Sequence, residues 1–89
     1  MFYDVRLSEN ARKALKKIDR YQASIILSWI EKNLVGCENP RLHGKALEDD
    51  KKGYWRYRVG SYRIIALIQD KLVLIEIINI AHRREVYNK

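Results

Sequence analysis

The sequence has one cysteine, Cys37, so it cannot form an internal disulfide, and this fits a reducing compartment. It has no run of about 20 uncharged apolar residues, which excludes a transmembrane helix. The start of the chain shows no basic-then-apolar leader, so we expect no signal peptide. With no repeats and no low-complexity segment either, the chain is predicted to be a cytoplasmic protein without a membrane partner.

What is present is a globular composition with a strong positive charge. The 89 residues are 47% apolar and 33% charged, which predicts one domain, 1–89, with a modest core. Eighteen Lys and Arg against eleven Asp and Glu give a net charge of +7. Most of the excess positive charge lies in residues 41–89, which contain eleven basic and six acidic residues. A small domain of this charge favours a polyanion or an acidic protein as partner.

The apolar pattern predicts a short strand over 2–6 and then two helices. Ser8 is a suitable N-cap for a basic amphipathic first helix. Asp19 and Gln22 have the spacing of a capping box, which opens a second helix. Gly36 supplies a stop at its end.

The second half of the chain reads as a long loop, with room for one helical turn, followed by three strands. The loop covers 36–53, and β-branched and aromatic residues then predict antiparallel strands over 54–59, 62–69 and 72–81, joined by tight turns at 60–61 and 70–71. The fold class is therefore α+β. Its order is β-α-α-β-β-β, a small, mostly antiparallel sheet with the two N-terminal helices packed on one face.

Alternation along the strands places three arginines on the sheet face that the helices leave open. Arg56 and Arg58 share a side of their strand with Tyr54, and Trp55 and Tyr57 take the other side. On the next strand Arg63 points away from an apolar set assigned to the core: Tyr62, Ile64, Ala66 and Ile68. The last strand brings His82, Arg83, Arg84 and Tyr87 to its end, where they can complete a basic pocket.

These residue types suit cleavage of RNA. Guanidinium groups match phosphate oxygens and stabilise the charge of a phosphoryl transition state. RNA carries its own nucleophile, the 2′-hydroxyl, so an enzyme needs only a base and an acid besides. Tyr87 and His82 are candidates for those two roles. Two histidines and one cysteine at scattered positions give no metal-ligand spacing, so neither a metal nor a small-molecule cofactor is expected.

Plainer explanations exist for each of these residues. An arginine on an open sheet face is often only solvated, a C-terminal tyrosine often packs at an edge, and a histidine beside two arginines is more often exposed than catalytic. Periodicity also leaves open whether Glu76 faces the pocket or an edge.

Three segments together resemble the RelE/ParE toxin superfamily, and most closely its RelE branch. They are H-G-K-A-L at 43–47, G-Y-W-R-Y-R-V-G-S-Y-R-I-I at 53–65 and A-H-R-R-E-V-Y at 81–87. The resemblance implies a toxin of a type II toxin–antitoxin system that enters the ribosomal A site and cuts mRNA without a metal. It also implies an acidic, RelB-like antitoxin as the neutralising partner.

The resemblance also implies roles for individual residues. Tyr87 would be the base, and Arg63 and Arg83 would stabilise the phosphate, with either His82 or an arginine as the acid. The RNA-binding set would be Lys45, Arg56, Arg58 and Arg84. The best-known RelE pattern has lysines where Arg56 and Arg58 stand, and because arginine stays charged, an electrostatic role is expected at both positions. The segment before Tyr87 is also shorter than in that pattern, so the pattern's arginine aligns with Arg83 to within one residue, and no C-terminal helix is expected.

Two other functions remain open at this point. A ParE-like toxin would share the fold and bind DNA gyrase without catalysis. An inactive domain would bind RNA or a protein only.

Overall fold

The computed structural model describes residues 1–47 and 53–82. In these ranges the chain forms two helices, α1 and α2, and five strands, β1 to β5. Their bounds are β1 Asp4–Leu7, α1 Glu9–Lys17, α2 Arg20–Asn33, β2 Lys45–Ala46, β3 Tyr54–Val59, β4 Tyr62–Gln69 and β5 Leu74–His82.

The strands form one mixed sheet in the order β1-β5-β4-β3-β2. β1 runs parallel to β5, and the other neighbours are antiparallel. The predicted α+β class and the two N-terminal helices on one face are confirmed. The predicted long loop over 36–53 contains an edge strand that the sequence did not indicate, because Lys45 and Ala46 pair with Arg56 and Trp55.

Both predicted helix starts are confirmed. The Ser8 side chain accepts a hydrogen bond from the backbone N–H of Ala11, at 3.0 Å. The Asp19 carboxylate accepts from the backbone N–H groups of Tyr21 and Gln22. Each cap satisfies donors that the first turn of a helix leaves without a partner.

The connection between β4 and β5 differs from the predicted tight turn at 70–71. It is a short 3₁₀ turn, Asp70–Leu72, followed by Val73 in the left-handed region with φ +51°. A β-branched residue rarely adopts this conformation, so its sequence gives no signal for such a turn. The last strand consequently begins at Leu74, two residues later than predicted, and extends to His82.

The core lies between the helices and one face of the sheet. Ala11 of α1 and Ile26 and Ile30 of α2 are buried there. The sheet contributes a larger apolar set to the same cluster: Tyr57, Val59, Ile64, Ala66, Ile75, Ile77 and Ile80. The predicted core side of β4 is confirmed, with Ile64 and Ala66 fully buried and Tyr62 packed against the cluster.

A bulge in β5 changes which residues face the helices. Ile65 pairs with Asn79 and Ala66 pairs with Ile77, so Ile78 is the extra residue on β5. Ser8 holds this bulge, because its hydroxyl donates to the Ile78 carbonyl at 2.7 Å. The core side of β5 therefore moves from Ile75 and Ile77 to Ile80 and His82.

Candidate nucleic-acid interface

Four basic side chains lie together on the sheet face opposite the helices. Arg58 of β3 is directly across from Arg63 of β4, and Arg56 lies two residues along β3 on the same face. Lys45 of β2 is directly across from Arg56. We call Lys45, Arg56, Arg58 and Arg63 the basic cluster. The predicted convergence of the three arginines on this face is confirmed by the strand register.

The members of the basic cluster differ in their exposure. Arg58 and Lys45 are exposed and Arg56 is half-buried, whereas Arg63 is only 2% exposed. Side chains directly opposite on an antiparallel pair have Cβ atoms about 4.5–5.5 Å apart. The register therefore places the Arg58 and Arg63 side chains next to each other on this face, with Arg58 exposed to solvent and Arg63 buried. A guanidinium stays charged in both settings, so the pair supplies a fixed positive field.

Neighbouring side chains on this face give the cluster an apolar border. Tyr54 and Leu67 are directly opposite each other, Ile65 is opposite Arg56, and all three are half-buried. Glu76 pairs with Leu67 and with Arg6 of β1, and its carboxylate accepts from the Gln69 amide at 3.4 Å. Glu76 thus belongs to the same face as the arginines but to the far end of the sheet, which settles the position that periodicity left open.

The segment before β2 packs across the other face of β3 and supports the strand that carries Arg56 and Arg58. The Tyr57 hydroxyl donates to the Pro40 carbonyl at 2.6 Å, and the Trp55 indole N–H donates to the His43 carbonyl at 2.6 Å. Trp29 of α2 completes the contact, with its ring 5.5 Å from that of Tyr57. Trp55 and Tyr57 are therefore packing residues on the side of β3 opposite the arginines, and burial raises the pKa of the Tyr57 hydroxyl well above its usual range.

Gly44 lies where the segment before β2 comes very close to β3. Its φ is +78°, and a Cβ at this position would collide with the backbone carbonyl of Arg56 and approach the rings of Trp55 and Tyr57. Only glycine meets both requirements.

An ion pair fixes the same segment to the β4–β5 connection. Arg41 donates to both carboxylate oxygens of Asp70, at 3.1 and 2.9 Å, and the Tyr3 hydroxyl donates to Asp70 at 2.6 Å. The Arg41 hydrogen bonds, followed by that of Tyr3, hold the pKa of the Asp70 carboxyl below its usual range. The sequence alone assigned no tertiary contact to Arg41, Gly44 or Asp70, because their partners lie far apart in the chain and follow no periodic pattern.

His82 is placed differently from the expectation that grouped it with the arginines. It pairs with Tyr62, and the two rings meet edge to face with centroids 5.2 Å apart. Ala81, not His82, lies beside Arg63. The bulge at Ile78 is the physical reason, since one extra residue turns every later side chain of β5 to the other face.

Three further predicted site residues, Arg83, Arg84 and Tyr87, lie outside the described residues. Within 1–47 and 53–82, no group of three His, Cys, Asp or Glu side chains comes together as a candidate metal site. No helix in the described part of the chain is long and apolar enough to cross a membrane.

Comparison with known proteins agrees with this architecture. A family model described as "ParE toxin of type II toxin-antitoxin system, parDE" matches residues 5–87. The chain belongs to the RelE/ParE toxin superfamily. Two toxins of Mycobacterium tuberculosis are similar to it over most or all of their length. RelE is 31% identical over 96% of this chain and 86% of that protein, and RelG is 27% identical over all of both chains.

Solved structures place the chain in the RelE branch of the superfamily. The toxin–antitoxin complex RelBE2 of Mycobacterium tuberculosis matches with a TM-score of 0.82 and 26% identity, covering 93% of each chain. A mutant of the Escherichia coli toxin RelE in the free state shares the fold, with a TM-score of 0.76 at 20% identity, over 98% of this chain and 88% of that one. This chain is therefore a toxin of a type II toxin–antitoxin system, and the resemblance given by its sequence motifs is confirmed.

Proposed function

We propose that this toxin is a metal-independent endoribonuclease that cuts mRNA in the ribosomal A site and so inhibits translation in the cytoplasm. The observation that carries the proposal is the Arg58–Arg63 pair, two arginine residues directly opposite each other on a sheet face that the helices do not cover. Its similarity to RelE toxins supports the same activity.

The proposed reaction is attack by the RNA 2′-hydroxyl on the adjacent phosphate. The phosphorus–oxygen bond to the 5′-oxygen breaks, leaving a 2′,3′-cyclic phosphate on one fragment and a 5′-hydroxyl on the other. Charge builds up on the phosphate oxygens on the way, and fixed cations aimed at them lower the barrier. We assign that stabilisation to Arg63, with Arg83 as a second contributor, and the binding of the flanking RNA to Lys45, Arg56, Arg58 and Arg84.

Proton transfer needs two further groups, and we propose Tyr87 as the base toward the 2′-hydroxyl. The acid for the leaving 5′-oxygen is either His82 or an arginine. Because His82 packs against Tyr62 on the helix side of the sheet, it would have to act around the end of β5. That position favours an arginine beside the leaving oxygen, where its fixed charge stabilises the departing oxyanion and solvent supplies the proton.

We further propose an acidic, RelB-like antitoxin as the neutralising partner. Structures of RelE toxins with RelB antitoxins, such as those of Methanococcus jannaschii and Pyrococcus horikoshii, support this pairing. The net charge of +7 suits an acidic chain that covers the basic cluster and excludes RNA.

The test is to incubate purified toxin with translating ribosomes and map the 5′ ends of the mRNA. Cuts at A-site codons should appear with the wild type and fade in Tyr87→Phe and Arg63→Ala. Because Arg63 is buried, Arg63→Lys and a thermal unfolding curve for each variant separate lost chemistry from lost folding. Lys32→Ala, an exposed change on α2, is the matched control and should cut normally.

The second candidate function is inhibition of DNA gyrase without catalysis, which the match to the ParE family model favours. Intact mRNA from a toxin that still arrests growth would contradict the nuclease proposal. Loss of gyrase supercoiling activity on addition of the same toxin would then support this alternative.

A further inference from the structure

The outer face of α1 carries a second group of cations, remote from the basic cluster. Its members are Arg12, Lys13, Lys16 and Lys17, all exposed. At about 100° per residue, positions i, i+1, i+4 and i+5 fall within one arc of about 140° on the helix surface. We call these four residues the α1 basic face.

The α1 basic face and the basic cluster lie on opposite sides of the sheet. Ala11 of α1 is fully buried in the core cluster, and Leu15 packs against that cluster, so the helix turns its cations outward. Arg58 and Arg63 lie on the face of the sheet that the helices do not cover. One phosphate group cannot contact both surfaces, so the α1 basic face is not part of the proposed cleavage site.

Within 1–47 and 53–82, the ion pair that reaches this face is a weak one. Glu9 lies 3.9 Å from Lys13, but both side chains are largely exposed, and such a pair holds its partners weakly. Asp19 is occupied as the N-cap of α2. An open groove of about 420 Å³ runs beside the helix, lined by Arg12, Lys13 and Lys16 together with Leu7 and Glu9.

The chemistry of the face favours a phosphate backbone over a protein or a membrane. Lysine is depleted at protein–protein interfaces, which are anchored by large apolar side chains. No exposed large apolar residue in the described chain belongs to α1; they are Met1, Phe2, Tyr21, Ile25, Leu27, Val35, Leu42 and Leu72. A membrane-bound helix needs a free apolar face, and that of α1 is packed in the core.

We propose that the α1 basic face binds the phosphate backbone of double-stranded RNA. The choice of RNA over other polyphosphates rests on the proposed function. A toxin that cuts mRNA on the ribosome is surrounded by folded RNA, which contains double-stranded segments. The toxin would then hold duplex RNA with α1 while the basic cluster on the opposite side engages a single strand.

The experiment measures binding of a fluorescent blunt-ended RNA duplex by anisotropy over a series of salt concentrations. The variant Lys13→Ala/Lys16→Ala is compared with Lys32→Ala/Lys71→Ala, which removes the same charge at exposed positions elsewhere. If each α1 lysine neutralises one phosphate, the first variant should bind roughly 10- to 100-fold more weakly near 0.1 M salt. The slope of log affinity against log salt should fall by about 2, and the control should change neither value.

Equal binding by the two double variants would overturn the proposal. A polyglutamate probe tests the acidic-protein alternative: loss of polyglutamate binding in Lys13→Ala/Lys16→Ala with duplex affinity retained would also overturn it. Failure of the proposed nuclease is a separate result, because it shows as uncut mRNA on ribosomes and leaves the duplex measurement unaffected.

Discussion

Arg58 and Arg63 face each other directly across the β3–β4 hairpin, one exposed and the other 2% exposed. Like charges at directly opposed positions destabilise an antiparallel pair. A sequence selected for stability alone would place a neutral or acidic residue at one of these positions. The pair is therefore a local conflict of the kind that proteins keep at functional sites.

Replacing the exposed member of this pair should separate stability from activity. We expect Arg58→Gln to raise the free energy of unfolding by roughly 0.2–1 kcal/mol, because it removes the repulsion and keeps the length of the side chain. The same change should weaken RNA binding and cleavage. Urea unfolding and the ribosome assay measure the two effects. A destabilised Arg58→Gln protein would show that the pair is not repulsive in the folded state.

Gly44 should tolerate no side chain, because its backbone touches the strand that carries the arginines. In Gly44→Ala the added Cβ meets the Arg56 carbonyl, in a left-handed residue with φ +78°. We expect a loss of about 2–4 kcal/mol in the free energy of unfolding.

Gly36 offers a matched control for this substitution. Its φ is +76°, and nothing lies within 4 Å of an added Cβ. Gly36→Ala therefore forces alanine into the left-handed conformation without a steric clash. It should lower the free energy of unfolding by only about 1–2 kcal/mol. Both variants are compared by urea unfolding. Equal losses in the free energy of unfolding would mean that the close packing of Gly44 on β3 does not contribute to stability.

Local signals in the sequence were sufficient for the helices and for the β3–β4 hairpin. The helix caps formed by Ser8 and Asp19 and the turn at Gly60 involve neighbours a few residues away, so these roles can be inferred from spacing alone. The same holds for the alternation that placed Arg56, Arg58 and Arg63 on one face. These are the parts of the candidate site that the sequence predicts.

The remaining features depend on contacts between distant parts of the chain. The bulge at Ile78 has no composition signal of its own, and it reverses the face on which His82 lies. The short strand β2 exists because Gly44 allows the chain to approach β3, and the Arg41–Asp70 pair joins residues 29 positions apart. Periodicity describes one element at a time, so it cannot predict these contacts.

Ser8 should be more important than an ordinary helix cap, because it joins α1 to the bulge. Its hydroxyl accepts from Ala11 and donates to the Ile78 carbonyl, whereas Asp19 only caps α2. A cap-to-alanine change costs about 0.5–2 kcal/mol, and the lost bond to a part-buried carbonyl adds roughly another 1 kcal/mol. The loss in the free energy of unfolding should therefore be about 1 kcal/mol larger for Ser8→Ala than for Asp19→Ala, as measured by thermal or urea unfolding. It should also shift the NMR signals of residues 78–82, and unchanged signals there would contradict the link to the bulge.

Asp70 should make the stability of the toxin depend on acidity. Its folded-state pKa lies below the ordinary value of about 3.9, chiefly because Arg41 donates to the carboxylate. The stabilisation is thus fully present above pH 4 and is lost as pH falls through the lower folded-state value. Because the pair is exposed, the effect should stay below about 1 kcal/mol. Asp70→Asn should therefore be slightly less stable than wild type at pH 7 and equal to it in strong acid. A double-mutant cycle with Arg41→Gln assigns the effect to this pair. Additive losses, or a difference that persists at pH 2, would show that the carboxylate acts through another contact.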